Sequence, residues 1–148
     1  MFKLACLFFC AVAVSLSGVV RAGEEDAEAF REAIKPFITE CAKEHGISWE
    51  DIAKAKETHT VSSLKPCFVG CIFKKFEIIN DKGEYDLEAN LNKIKMFVKN
   101  EDLLTQLRDI MKKCVSVNDE SVSDGNAGCE RAMLLAKCFA ELKSEILI

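Results

Sequence analysis

The chain opens on apolar positions without a charge, Leu4 to Val20, behind the short positive start Met1-Phe2-Lys3. Beyond residue 22 the pattern changes, and apolar residues recur every three or four positions, the period of a helix with one buried face. Phe30, Ile34, Phe37 and Cys41 share one face of a first helix over residues 25–44. Pro36 is expected to kink or split it, and Gly46 to stop it. Ser48 is placed to cap a short second helix ending near Thr58, with Asp51 at the capping-box position. A third helix over 63–79 has Pro66 in its first turn and Leu64, Phe68, Ile72 and Phe76 along one face, with Phe73 beside them. Asn80-Asp81-Lys82-Gly83 reads as a turn. Asp86 caps a fourth helix to about Val98, with Leu87, Leu91, Ile94 and Phe97 on one side. Asn100 caps a fifth to about Val115, with Leu103, Leu104, Leu107, Ile110 and Met111 inward. An acidic loop over 117–128 leads into a sixth helix over 127–144. No stretch alternates as a strand does, and no linker or repeat divides the chain. The pattern predicts an all-α domain of six helices.

The first apolar run spans 17 residues, at the short limit for a membrane span, and an acidic segment follows it. Val20-Arg21-Ala22 offers small residues at cleavage spacing. Residues 1–22 are therefore expected to be a secretory signal peptide, cut after Ala22, leaving 23–148 as the mature domain. The chain holds 20 basic and 24 acidic residues; losing Lys3 and Arg21 leaves 18 against 24, a net charge of −6. An acidic domain is a poor match for a phosphate backbone or for anionic lipid, so neither nucleic acid nor membrane insertion is expected. The expected location is extracellular.

Cys6 and Cys10 leave with the leader; Cys41, Cys67, Cys71, Cys114, Cys129 and Cys138 remain. An even count in a secreted chain points to disulfides. Two histidines and no C-x-x-C pair leave little for a metal, and none is expected. Six cysteines allow fifteen pairings. Cys67 and Cys71, one helical turn apart, hold their Cβ atoms about 5–6 Å apart, whereas a disulfide needs roughly 3.5–4.5 Å. Cys129 and Cys138 are about 13 Å apart along a helix axis. Striking out both pairs leaves about ten connectivities, and the residues alone go no further.

Catalysis finds no foothold. There is no Gly-x-Ser-x-Gly elbow, and neither His45 nor His59 stands in a cysteine-flanked His-Asp arrangement like that of secreted phospholipases. Val122 occupies a ligand position in the 120–125 loop, which fails as a calcium loop. The chain is not expected to be an enzyme.

The intervals between the six cysteines are 25, 3, 42, 14 and 8 residues. With Cys67-x3-Cys71, Cys129-x8-Cys138, and the last-helix segments Cys129-Glu130-Arg131-Ala132 and Cys138-Phe139, the chain from residue 23 onward resembles the insect odorant-binding and pheromone-binding proteins. The resemblance implies the pairing Cys41–Cys71, Cys67–Cys129 and Cys114–Cys138, one of those left open above. It also implies a six-helix disulfide-bonded bundle enclosing an apolar ligand cavity. Its work would be to carry small hydrophobic odorants or pheromones through aqueous sensory lymph, without a cofactor. An olfactory receptor is then a candidate partner. A non-olfactory carrier of lipids or hormones is the alternative, and a secreted hydrolase the more distant one. Oligomeric state stays open.

Ten phenylalanines against one tyrosine and one tryptophan suit an apolar wall. The residues expected to line it are Phe30, Phe37, Leu64, Phe68, Leu87, Leu91, Ile94, Leu107, Met111, Phe139 and Leu147. Met96, Met111 and Met133 would let the wall adapt. Ser63, Tyr85 or Thr105 would supply a hydrogen bond to a ligand oxygen. The apolar tail Ile146-Leu147-Ile148 is expected to fold across the mouth as a lid.

Overall fold

A computed structural model of the protein describes residues 2–143, and the side chains of residues 23–142. Leu147 and the lid expectation lie outside the described residues. The α-helices are α1 (Phe2–His45), α2 (Trp49–Glu57), α3 (Pro66–Lys75), α4 (Leu87–Phe97), α5 (Glu101–Lys113) and α6 (Cys129–Lys143). Short 3-10 turns cover Val61–Ser63, Cys114–Asp119 and Gly125–Ala127. Among the residues searched, no helix is long and apolar enough to cross a membrane.

The starts follow local chemistry. Ser48 Oγ accepts from the Asp51 N–H and Asp51 accepts in return from the Ser48 N–H, a complete capping box. The side-chain oxygens of Asp86 and Asn100 accept from the N–H groups of Ala89 and Leu103. Asp26, buried on α1, accepts from the Lys99 and Asn100 N–H groups at 2.9 and 3.2 Å. It ties α1 to the α4–α5 junction and satisfies donors that α5 leaves free.

The expected break at Pro36 does not occur: α1 runs through it to His45. Pro36 removes one N–H, and its ring crowds the carbonyl of Glu32. Both residues are exposed, so water can take the freed carbonyl, while Ile34, Phe37 and Cys41 hold the other face on the core.

Three helices end in the same six-residue closure. Ile47, Thr60 and Ile78 donate back to the carbonyls of Ala42, Ala55 and Phe73, across Gly46, His59 and Glu77 in the left-handed region (φ 63°, 51° and 63°). Glycine announces only the first. The expected extension of the third helix to residue 79 is therefore wrong: it stops at Lys75, and Glu77 turns the chain. Ile79 then forms an isolated antiparallel bridge with Tyr85 around the Asn80–Gly83 turn.

A residue with a Cβ loses roughly 1–2 kcal/mol in the left-handed conformation, and the exposed Glu77–Lys93 ion pair (2.7 Å) offsets little of that. Glu77→Gly is expected to raise stability by about 0.5–1 kcal/mol after glycine's extra unfolded-state entropy. Urea unfolding would measure it. A loss of stability would mean that the side chain's contacts outweigh the strain.

The core lies where α3 crosses α6, against α1. Phe68, Leu135, Cys41 and Cys114 are the largest of its fully buried side chains. Gly70 allows the close approach: a Cβ there would sit 3.2 Å from the Cys129 Cα. The disulfides are Cys41–Cys71, Cys67–Cys129 and Cys114–Cys138, the pairing that the resemblance implies. They tie α1 to α3, α3 to α6, and the end of α5 to α6. Arg131, buried on α6, donates to the carbonyls of Val117 and Glu120 and pins the 114–124 segment.

Candidate functional site

Four phenylalanine rings meet between α1, α3 and α4. Phe76, just past α3 and 4% exposed, stands edge-on to Phe30 and Phe37 of α1, with centroids 5.6 and 5.8 Å away. It stacks on Phe97 of α4 at 6.1 Å, and Phe30 meets Phe97 edge-on at 5.9 Å. These are favourable arrangements of aromatic quadrupoles. Lys93 Nζ lies over the Phe76 ring, 5.6 Å from its centroid.

The residues expected to line a cavity divide among several places. Phe30 and Phe37 belong to the ring cluster. Leu87, Leu107 and Phe139 are half-buried and pack on the core. Leu91 of α4 and Met111 of α5 are buried, and Ile94 is half-buried beside them on the α4 stripe. Phe68 is 2% exposed and sits in the core proper. Leu64 faces a cleft of about 490 Å³ bordered by Ile47, Asp51, Lys54, Thr58, Thr60, Ser63 and Lys65. Its rim is charged and hydroxyl-rich, and Ile47 and Leu64 are the apolar residues among those that line it.

Met96 does not belong to the wall: it is 64% exposed. It follows Leu87 by nine positions, about two and a half helical turns, and so lies on the opposite side of α4. Ser63 and Thr105 are also exposed, their hydroxyls donating to the carbonyls of Thr60 and Glu101. Phe76 and Phe97 were legible as stripe positions but not as the centre of an aromatic cluster.

Tyr85 is the hydroxyl candidate that the fold buries, at 3% exposure. Its backbone is clamped by Asn118, whose amide oxygen accepts from the Tyr85 N–H and whose amide nitrogen donates to the Tyr85 carbonyl. Its ring meets Phe139 edge-on at 6.0 Å. Its Oη accepts from Asn90 Nδ2 at 3.0 Å and donates to the Met111 carbonyl at 3.4 Å. Asn90 is itself buried on α4, three positions after Leu87 and therefore on the same stripe as Leu87, Leu91 and Ile94. It carries a polar group into the interior that the apolar periodicity does not mark.

Burial pushes the Tyr85 phenol up to about 12; the hydrogen bond from Asn90 works against this, and the Asp86 charge adds to it. The ordinary value is 10.0. Folding thus favours the protonated phenol. Its contribution is intact below pH 10 and is lost as pH rises through 12. Tyr85 is the sole tyrosine, so phenolate absorbance reports it alone. The folded protein is expected to titrate near 12 and the chain in denaturant near 10. Coincident curves would show the hydroxyl to be solvated.

One grouping of metal-ligand types occurs among the described residues: Glu44, His45 and Cys71. Cys71 is disulfide-bonded and offers no thiolate, so the set does not have the donors of a thiolate site.

The sequence profile of the PBP/GOBP family matches residues 23–141. Among solved structures, an odorant-binding protein from Drosophila melanogaster has the same fold, with a TM-score of 0.55 and 21% identity. The match covers 78% of this chain and 95% of that one.

Proposed function

We propose, from the premise that the chain belongs to the PBP/GOBP family, that it is a secreted carrier of odorants, pheromones or similar small hydrophobic molecules. The cargo sits in the helical interior bounded by α1, α3, α4, α5 and α6. The observation that carries this reading is the apolar surface these helices turn inward: Phe76, Leu91 and Met111 are buried, and Phe30, Phe37, Phe97 and Phe139 half-buried. Burial of apolar surface is then the driving force, and no covalent step is needed.

The family and the fold are those of binding proteins. Secretion is supported by the start of the family match at Gly23, directly behind the apolar leader, and by three disulfides, which persist in oxidising compartments. In this reading residues 1–22 are removed and a receptor takes delivery from the carrier. Sequencing the secreted form should give Gly23 as its first residue. Displacement of a fluorescent apolar probe tests the cargo. Neutral medium-chain alcohols, aldehydes and esters should compete for a saturable site, whereas charged solutes should not. Absence of saturable probe binding would overturn the carrier reading.

A further inference from the structure

We propose that Tyr85 and Asn90 form a polar anchor that reads a hydroxyl group on the cargo, so that the protein prefers alcohols among ligands of one size. This rests on the carrier reading and specifies its ligand class. Both residues are more than nine-tenths buried; Tyr85 meets the Met111 carbonyl of α5 and the Phe139 ring of α6, and Leu87 lies one turn before Asn90 on α4. An amide and a phenol in such surroundings are costly unless their hydrogen-bonding capacity is used.

That capacity is not used up. The Met111 carbonyl can only accept, so it takes the Tyr85 hydroxyl proton. Tyr85 Oη must then accept, and the amide nitrogen of Asn90 is the donor that faces it. This fixes the orientation of the amide and leaves Asn90 Oδ1 without a donor among the described residues, open to a solvent-sized space rather than sealed in. The bond from Tyr85 to Met111 is also weak: 3.4 Å, against about 2.7–2.8 Å for an ordinary O–H···O contact. The pair therefore offers one free acceptor and one donor held by a long bond. A ligand hydroxyl supplies the complement, a proton for Asn90 Oδ1 and a lone pair for the Tyr85 O–H. An ester, aldehyde or ether can satisfy the donor but leaves the amide oxygen unmet. A hydrocarbon satisfies neither.

The test compares a straight-chain primary alcohol with its methyl ether and the alkane of equal length, by displacement of a fluorescent apolar probe. The wild-type protein is expected to bind the alcohol about tenfold more tightly than the ether. Asn90→Leu should cut the preference for alcohol over ether to within about twofold, and Tyr85→Phe, which removes the donor the ether uses, should bring the ether to within about twofold of the alkane. Equal affinity for alcohol and ether in the wild type would overturn the anchor and leave the carrier reading standing. If Asn90→Leu weakens alcohol and ether alike, so that the tenfold preference persists, the pair is a structural prop and the anchor is wrong. If no member of the series displaces the probe from wild type, the carrier reading fails and the anchor with it.

Discussion

Serine in place of both Cys67 and Cys129 is expected to cost about 4 kcal/mol of stability, measured by guanidinium unfolding. This bridge has the widest sequence separation of the three, 62 residues against 30 and 24. A cross-link limits the unfolded chain more as the loop it closes grows, and a loop of this length falls between the values of about 3 kcal/mol for 15 residues and about 4.7 for 100. The site is also a clean place to measure the effect. Cys67 is exposed and Cys129 half-buried, so serine hydroxyls there meet water. Cys41 and Cys114 are fully buried, and serine in either would add a desolvation cost to the loss of the bridge. Helical content should survive. Gly70 still seats α3 against the start of α6, and Lys74 Nζ still donates to the Asn126 carbonyl at 2.7 Å. A loss below about 1 kcal/mol would mean that the unfolded chain is held compact by other means.

Phe76→Ala should cost about 3–5 kcal/mol, the range for truncating a buried phenylalanine. Phe76 meets three other rings, so its removal leaves a void walled by Phe30, Phe37 and Phe97 rather than a surface notch. Apolar voids of that kind stay dry and accept apolar molecules. The variant is therefore expected to bind a bulkier apolar probe more tightly than wild type does, and the probe should restore part of the lost stability. Phe68→Ala, in the α3–α6 core, should lose comparable stability without that gain. If the two variants behave alike towards a probe series, the ring cluster is ordinary core and not part of a cargo wall.

Helix starts were legible because capping is local chemistry. Ser48, Asp86 and Asn100 each carry the acceptor that their helix needs, a few residues from the donors. Helix ends were legible only where glycine marks the left-handed residue, as at Gly46. His59 and Glu77 occupy the same conformation without the usual sign, so the apolar pattern carries the third helix past its real end. The cysteines are a different case. Helix geometry struck out two contacts, and the pairing itself came from resemblance, because it depends on which helices meet. The candidate site was half legible. Periodicity put Phe30, Leu91 and Met111 on inward faces. It could not separate Phe68, deep in core, from Phe76, at the ring cluster, since that depends on distances between helices. The pattern does not mark Asn90, because an asparagine on an apolar stripe reads as an interruption. In the fold it is the partner of Tyr85.

The location of the cargo is the claim on which the rest depends, and the methionine methyl groups report it directly. Met111 is buried on α5, 5% exposed; Met133 is buried on α6; Met96 is 64% exposed on the far side of α4. Titration of methyl-labelled protein with a neutral medium-chain alcohol should shift the Met111 methyl resonance, and to a lesser degree that of Met133, to a saturating limit. The Met96 resonance should stay where it is. A saturating shift of Met96 with Met111 unmoved would put the ligand on the surface and contradict an interior site.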